Sequence, residues 1–246
     1  MQLDTFRAAF WKHFQGAARN EPDETLWDPA VAAELDLCPD VEGKLSLRKQ
    51  QLLNLGFSLL SPGEAYLEIG TYHGKSLLSA MLHNPERPVY AVDNFSEFAM
   101  GASGNSLNKT LAHLAHYGLR DKVVFYDADF RTVCTPDHLK YPIGMYFYDG
   151  AHDEASQYDG IRLVEPFLAD EALVLVDDWR LARDSGSYAK AGTLRAVAES
   201  PYHWALLYEL PARKNGDLGL WWNGVGVLWF RRVLRSELQD PEADAG

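Results

Sequence analysis

Cysteine is scarce, basic residues are in deficit, and no long apolar run occurs anywhere in the 246-residue chain. Cys38 and Cys134 are the only two cysteines, so neither a disulfide framework nor a cysteine-based zinc site is available. Lys and Arg number 23 against 35 Asp and Glu, a formal charge of −12. That field repels a polyanion and argues against sequence-independent nucleic-acid binding. Nothing approaches the ~20 consecutive apolar residues of a bilayer-crossing helix. The opening MQLDTFRAAFWKHF mixes charge among its apolar residues, unlike a secretory leader. What remains is an ordinary globular balance, 47% hydrophobic and 24% charged, in a chain long enough to bury a full core unaided. The expectation is a soluble, cytoplasmic protein with no membrane or nucleic-acid partner.

Residues 2–18 carry Leu3, Phe6, Phe10 and Phe14 at helical spacing, and residues 44–60 repeat the pattern with Leu45, Leu52, Leu55 and Leu59. A Pro- and Asp-rich connector, EPDETLWDPAVAAELDLCPDVEG, separates them. Residues 1–60 are read as an N-terminal helical appendage, a cap or a homo-oligomer contact. From residue 65 the pattern changes. AYLEIG, VYAVDN, KVVFYDA, GMYFYDG and ALVLVDD are apolar runs of strand length, each ending in Gly, Asp, Asn or Ala. Between and after them KSLLSAMLH, NSLNKTLAHLAHYG, a short stretch near PDHLKY, DEASQYDGIRLVEPFL and SYAKAGTLRAVAES read as helices. Such alternation predicts a doubly wound α/β domain, residues 61–232, around a mostly parallel sheet. HWALLYEL and LGLWWNGVGVLWF read as two further strands joined only by PARKNGD. A parallel crossover needs a dozen or more residues, so this pair is expected as a C-terminal antiparallel hairpin completing seven strands. Residues 233–246 are acidic and poor in large apolar groups, an expected flexible tail.

In open α/β sheets, ligands bind beyond the carboxyl ends of the strands. The first strand runs into EIGTYHGKS, where Gly70 permits a tight turn and Gly74 lets a ligand approach a helix N-terminus. The spacing is neither G-x-G-x-x-G nor a P-loop. Asp93, about 20 residues on, ends the second strand, where an acid accepts from ribose hydroxyls. The third ends in Asp127-Ala128-Asp129-Phe130, an acid and a ring suited to an adenine. Each feature alone is also ordinary turn or cap chemistry; together they favour an adenosine ligand. The fourth strand ends in Asp149-Gly150-Ala151-His152 and the fifth in Asp177-Asp178-Trp179. Neighbouring strand ends lie about 5 Å apart, so three carboxylates converge and repel. A hard divalent cation resolves that conflict, oxygen ligands favouring Mg²⁺, Mn²⁺ or Ca²⁺, with Mg²⁺ the first expectation. His152 sits where it can take a proton from a substrate hydroxyl. Trp179, Tyr158 and Trp221-Trp222 are candidate pocket walls, and residues 95–106 a candidate lid.

YLEIGTYHGKS closely resembles the first motif of class I S-adenosylmethionine-dependent methyltransferases, particularly the cation-dependent O-methyltransferases of the catechol type. YDGAHDEASQYDGIRLVEPFLADEALVLVDDW is similar to the related bacterial branch that methylates sugar hydroxyls of natural products, the macrocin type. The resemblance spans about residues 60–232 and includes the terminal hairpin. It implies that Glu68, Gly70, Tyr72, Gly74 and Ser76 hold the methionine portion of S-adenosylmethionine. Asp93 would take the ribose, and Asp129 with Phe130 the adenine. Asp149, Asp177 and Asp178 fall on the metal-ligand positions. His152 stands where catechol-type enzymes have a basic lysine, and Asp178 where they have asparagine. Glu154 departs from the aromatic residue frequent in the sugar-modifying branch.

The expectation is therefore methyl transfer to a hydroxyl of a small sugar or phenolic acceptor, with a divalent metal lowering the hydroxyl pKa and His152 or Asp149 removing the proton. A non-catalytic adenosine-ligand binder is the competing reading. A nucleotide-dependent oxidoreductase is a third, which would need a pyrophosphate-binding glycine loop that the sequence lacks.

Overall fold

A computed structural model describes residues 1–14, 34–96, 106–180 and 187–238. Its centre is a seven-stranded sheet in the order β3-β2-β1-β4-β5-β7-β6. The strands are β1 (Ala65–Ile69), β2 (Val89–Val92), β3 (Val124–Tyr126), β4 (Ile143–Tyr148), β5 (Leu168–Asp177), β6 (Tyr202–Leu210) and β7 (Val225–Leu234). β1 to β5 pair in parallel. β7 inserts antiparallel between β5 and β6, so β6 itself runs with the first five and β7 alone is reversed. This is the class I methyltransferase fold. The strand order turns around β1 and β4, which places a crevice beyond Ile69 and Tyr148.

β1 and β4 are buried along their whole length, as expected of strands covered on both faces. Side-chain alternation divides them. Tyr66, Met145, Phe147, Leu173, Leu175 and Trp229 face one layer; Leu67, Ile69, Tyr146, Tyr148, Val174 and Phe230 face the other. The first layer is covered by α1 (Leu3–Phe14), α2 (Leu47–Ser58) and α3 (Lys75–Met81). α6 (Glu154–Arg162) and α7 (Tyr188–Glu199) cover the second. α4 (Ser106–His116) and the short α5 (Phe130–Val133) complete the helices used below.

Among the described residues of the N-terminal segment, the apolar side chains of α1 and α2 join the same apolar cluster as the sheet. Phe6 stacks on Trp229 at 6.1 Å, Phe10 on Tyr208 at 4.2 Å, and Phe14 meets the edge of Trp221 at 5.2 Å. Phe6, Phe10 and Phe14 of the expected appendage are buried against the sheet layer of the same chain. Two expectations are corrected. PDHLKY forms a turn, and the short helix lies earlier at Phe130–Val133, where the Asp129 carboxylate caps it by accepting from the Arg131 amide. LGLWWNG is a closed loop and β7 starts only at Val225. Asp217 causes this: its backbone pairs with that of Trp222, and its carboxylate accepts from the Arg213 and Gly219 amides. Leu220 and Trp221 are apolar because they are buried, not because they are extended. The expected lid, residues 95–106, lies largely outside the described residues, as do the connector through residue 33 and the tail from 239. Among the described residues no helix is long and apolar enough to cross a membrane.

Candidate active site

The carboxyl ends of β1 to β5 open into one cavity lined by Gly70, Tyr72, Ser76, Asp93, Asp129, Phe130, Asp149, His152, Asp177 and Asp178. Eight of the ten are residues at or just beyond strand ends; Tyr72 lies in the β1–α3 turn and Ser76 in the first turn of α3. Glu68 and Gly74, also expected here, lie behind this lining. Glu68 is fully buried under the loop, accepting from the Tyr66 hydroxyl at 2.6 Å and the Ser76 hydroxyl at 2.7 Å. Burial pushes its carboxyl up to about 7, against the lowering effect of those two hydrogen bonds. Gly74 starts α3 with φ +84°. Gly70 is irreplaceable on steric grounds: its φ is +87°, and a Cβ there would stand 1.9 Å from the Asp149 carbonyl oxygen.

Asp93 ties β2 to the β1 loop. Its carboxylate accepts from the amides of Thr71 at 2.8 Å, Tyr72 at 2.9 Å and Phe95 at 2.7 Å. Asp129 accepts from Arg131 in its capping role. Asp93 Oδ2 also takes the Thr71 hydroxyl at 3.4 Å, so the capacity Asp93 keeps toward a ligand hydroxyl is on Oδ1; Asp129 retains capacity as well. Arg131 lies 4.7 Å over the Phe130 ring and closes that end of the cavity.

At the other end the acids meet protein partners. The Asp178 carboxylate receives His152 Nε2 at 2.8 Å and Asn223 Nδ2 at 2.7 Å. Burial raises the Asp178 carboxyl, but these partners outweigh it and hold it below the usual aspartate range. Asp177 is ion-paired with Lys49 of α2, both side chains almost wholly buried. Asp149 is raised well above the ordinary aspartate value, by burial first and then by the neighbouring Asp177 and Asp178. Tyr72, Phe95, Asp178 and Trp222 all take positive φ around this cavity, a concentration of backbone strain typical of functional sites.

The structure therefore brings Asp149, Asp177 and Asp178 together, yet the groups whose ligand atoms lie within 4.8 Å of one another are Asp149, His152 and Asp178. Sequence reading missed Lys49, the lining loop Gly43–Leu45, and Asn223 of the β6–β7 loop. One signal for Lys49 was present. Arg48-Lys49 opens a helix with no acid in its first turn, against the helix dipole. Of the candidate pocket walls only Trp222 lines the cavity. Trp179 and Trp221 are buried, and Tyr158 bonds Glu199.

Residues 67–179 match the family model described as a methyltransferase domain. No curated protein matches the sequence significantly. Among solved structures, the chain is similar to the O-methyltransferase TomG from Streptomyces achromogenes, involved in tomaymycin synthesis and solved with S-adenosylmethionine. That likeness has 18% identity and a TM-score of 0.56 over 83% of this chain and 90% of that one. An O-methyltransferase from Bacillus cereus, solved with S-adenosylhomocysteine, gives 16% identity and a TM-score of 0.52 over 85% and 90%. The methyltransferase PaMTH1 from Podospora anserina, also bound to S-adenosylhomocysteine, gives 15% and 0.52 over 91% and 87%.

Proposed function

We propose, from the match of residues 67–179 to a methyltransferase domain and the strand order of the sheet, that this chain is an S-adenosylmethionine-dependent O-methyltransferase whose acceptor is a small sugar or phenolic hydroxyl compound. The observation that carries this reading is one cavity with two chemically distinct ends. Asp93, Asp129 and Phe130 stand at one, and the His152–Asp178 pair at the other.

The residues fit the cofactor by their donor and acceptor chemistry. Asp93 Oδ1 and Asp129 offer remaining lone pairs for ribose hydroxyls and the adenine amino group, and Phe130 lines the same end of the cavity. Gly70, Tyr72 and Ser76 line the cavity beside the α3 N-terminus, with Glu68 behind them and Gly74 at the first turn, in position for the methionine portion. Bound S-adenosylmethionine supplies an electrophilic methyl group. What the chain adds is alignment of the acceptor and removal of its proton.

His152 is the proposed base. Its Nε2 faces Asp178, and that carboxylate orients the ring and favours the imidazolium formed when His152 takes a hydroxyl proton. Asn223 holds Asp178 from the opposite side, so the carboxylate is set by two elements. Asp149, whose carboxyl burial and two neighbouring acids push well above the ordinary aspartate range, is proposed to hydrogen-bond the acceptor oxygen rather than to abstract its proton. The expected metal set of Asp149, Asp177 and Asp178 does not fit as a unit, because Asp177 already carries an ammonium. No step is routed through a metal.

The test is calorimetric titration of the full chain with S-adenosylmethionine, followed by methyl-transfer assays on a panel of sugar and phenolic acceptors. Micromolar binding that Asp93→Ala weakens at least tenfold is the expected result. Absence of binding would return the strand-end acids to turn and cap duty.

A further inference from the structure

Lys49 is the one feature of the site that the methyltransferase reading leaves unexplained. It belongs to α2, whose N-cap Ser46 accepts from the Lys49 amide, so Lys49 stands in the first turn. Helix dipoles disfavour cations there, and burial of an ammonium costs more again. A local choice that opposes both the helix and solvation marks a position set by the site rather than by the element. The side chain is 1% exposed and ends on Asp177, itself 4% exposed, at the carboxyl end of β5. It also bears electrostatically on Asp149 and Asp178. The three acids thus surround a positive charge that the chain itself provides.

We infer that the Lys49 ammonium is the resident cation of this acidic cluster, holding Asp177 in the way a divalent ion would and keeping such an ion out. The inference rests on the proposed function only in naming the site; the ion pair stands without it. Two contacts and one electrostatic effect support it. Asp177 is withdrawn from any ligand set by its ion pair. Both oxygens of Asp178 accept from protein donors, Asn223 and His152. A dication placed among Asp149, His152 and Asp178 would sit close to a buried ammonium, with little water between them to screen the repulsion. In this arrangement Lys49 of α2 acts as a positioning residue through Asp177, which lines the cavity.

Mn²⁺ titration of the full chain, followed by the electron paramagnetic resonance of the free ion, tests this. Lys49→Met keeps an unbranched side chain of similar length and removes the charge. It is expected to bind one Mn²⁺ at least tenfold more tightly than the unmodified chain. Lys49→Arg is expected to bind as weakly as the unmodified chain, and Lys49→Met with Asp177→Asn to lose the gain. Saturable Mn²⁺ binding by the unmodified chain that Lys49→Met leaves unchanged or weakens would overturn the inference. If Lys49→Met does not fold, thermal unfolding of the unmodified chain with millimolar Mn²⁺ decides. No shift is expected, and a rise abolished by Asp177→Asn would make Asp177 a metal ligand and overturn it. S-adenosylhomocysteine titrated into the same samples separates the two readings, since its failure to bind counts against the methyltransferase assignment and leaves the Mn²⁺ result standing.

Discussion

Asp178 sits at φ +55°, a conformation an aspartate adopts only when its surroundings hold it there. The surroundings are His152 on one oxygen and Asn223 on the other. Asp178→Asn removes the charge that favours the imidazolium while leaving the side chain nearly isosteric. The expected outcome is a loss in kcat of about 10²-fold or more, the scale of a misdirected general base, with S-adenosylmethionine affinity changed less than a few-fold; steady-state kinetics beside calorimetry checks both. Glu68 gives a second residue-scale prediction, with a definite sign. Its folded-state value of about 7 lies above the ordinary 4.5, so the folded chain holds a proton that the unfolded chain has released. Its stabilising contribution is complete below about pH 4.5 and is lost as pH rises through about 7. The full span amounts to about 3 kcal/mol. Urea unfolding at about pH 5 and about pH 8 should show this decline in the native sequence, and Glu68→Gln should flatten it. An unchanged slope in the variant would assign the decline to another group.

Helix α1 is the clearest case of an element whose role only the tertiary structure reveals. Its Phe6, Phe10 and Phe14 were legible as an amphipathic stripe, but a stripe does not say what it faces. The partners are Trp229, Tyr208 and Trp221, more than 190 residues away along the chain and invisible to local periodicity. Phe10→Ala should cost about 3–5 kcal/mol, the range for truncating a buried aromatic, in a single cooperative urea transition; a change under about 1 kcal/mol would mean that α1 is a loose cap. At α2, Ser46→Ala should cost about 1 kcal/mol through loss of the N-cap. The alternation of buried runs and helices made β1 to β5 legible, together with the acids that end β2, β4 and β5. It failed at the loop closed by Asp217, where Leu220 and Trp221 are buried without being extended, because hydrophobicity reports burial and not extension. Lys49 was out of reach for a different reason. Its partner Asp177 is 128 positions distant, and the only local trace was a cation where a helix prefers an acid.

At the scale of the whole molecule, the cavity exists only when distant parts assemble. The ends of five parallel strands form its floor, Gly43–Leu45 before α2 one rim, and Trp222 with Asn223 from the β6–β7 loop another. A ligand that fills it binds the folded chain and not the unfolded one, so occupancy converts directly into stability. At about 100 times its dissociation constant, S-adenosylhomocysteine should add about 2.7 kcal/mol to unfolding. For a chain of this size that corresponds to a rise of about 5–10 °C in Tm. Gly70→Ala should abolish the rise, because a Cβ at φ +87° collides with the Asp149 carbonyl and pushes the β1 and β4 ends apart. The same measurement divides the three functional readings. A methyltransferase and a non-catalytic adenosine-ligand binder both show the shift, and turnover of an added hydroxyl acceptor then separates them. An oxidoreductase would respond instead to a nicotinamide dinucleotide, for which the β1 loop lacks the glycine spacing that seats a pyrophosphate. A shift with the dinucleotide and none with S-adenosylhomocysteine would move the assignment to that class, and the reversed β7 would then be a feature of the fold without bearing on the chemistry.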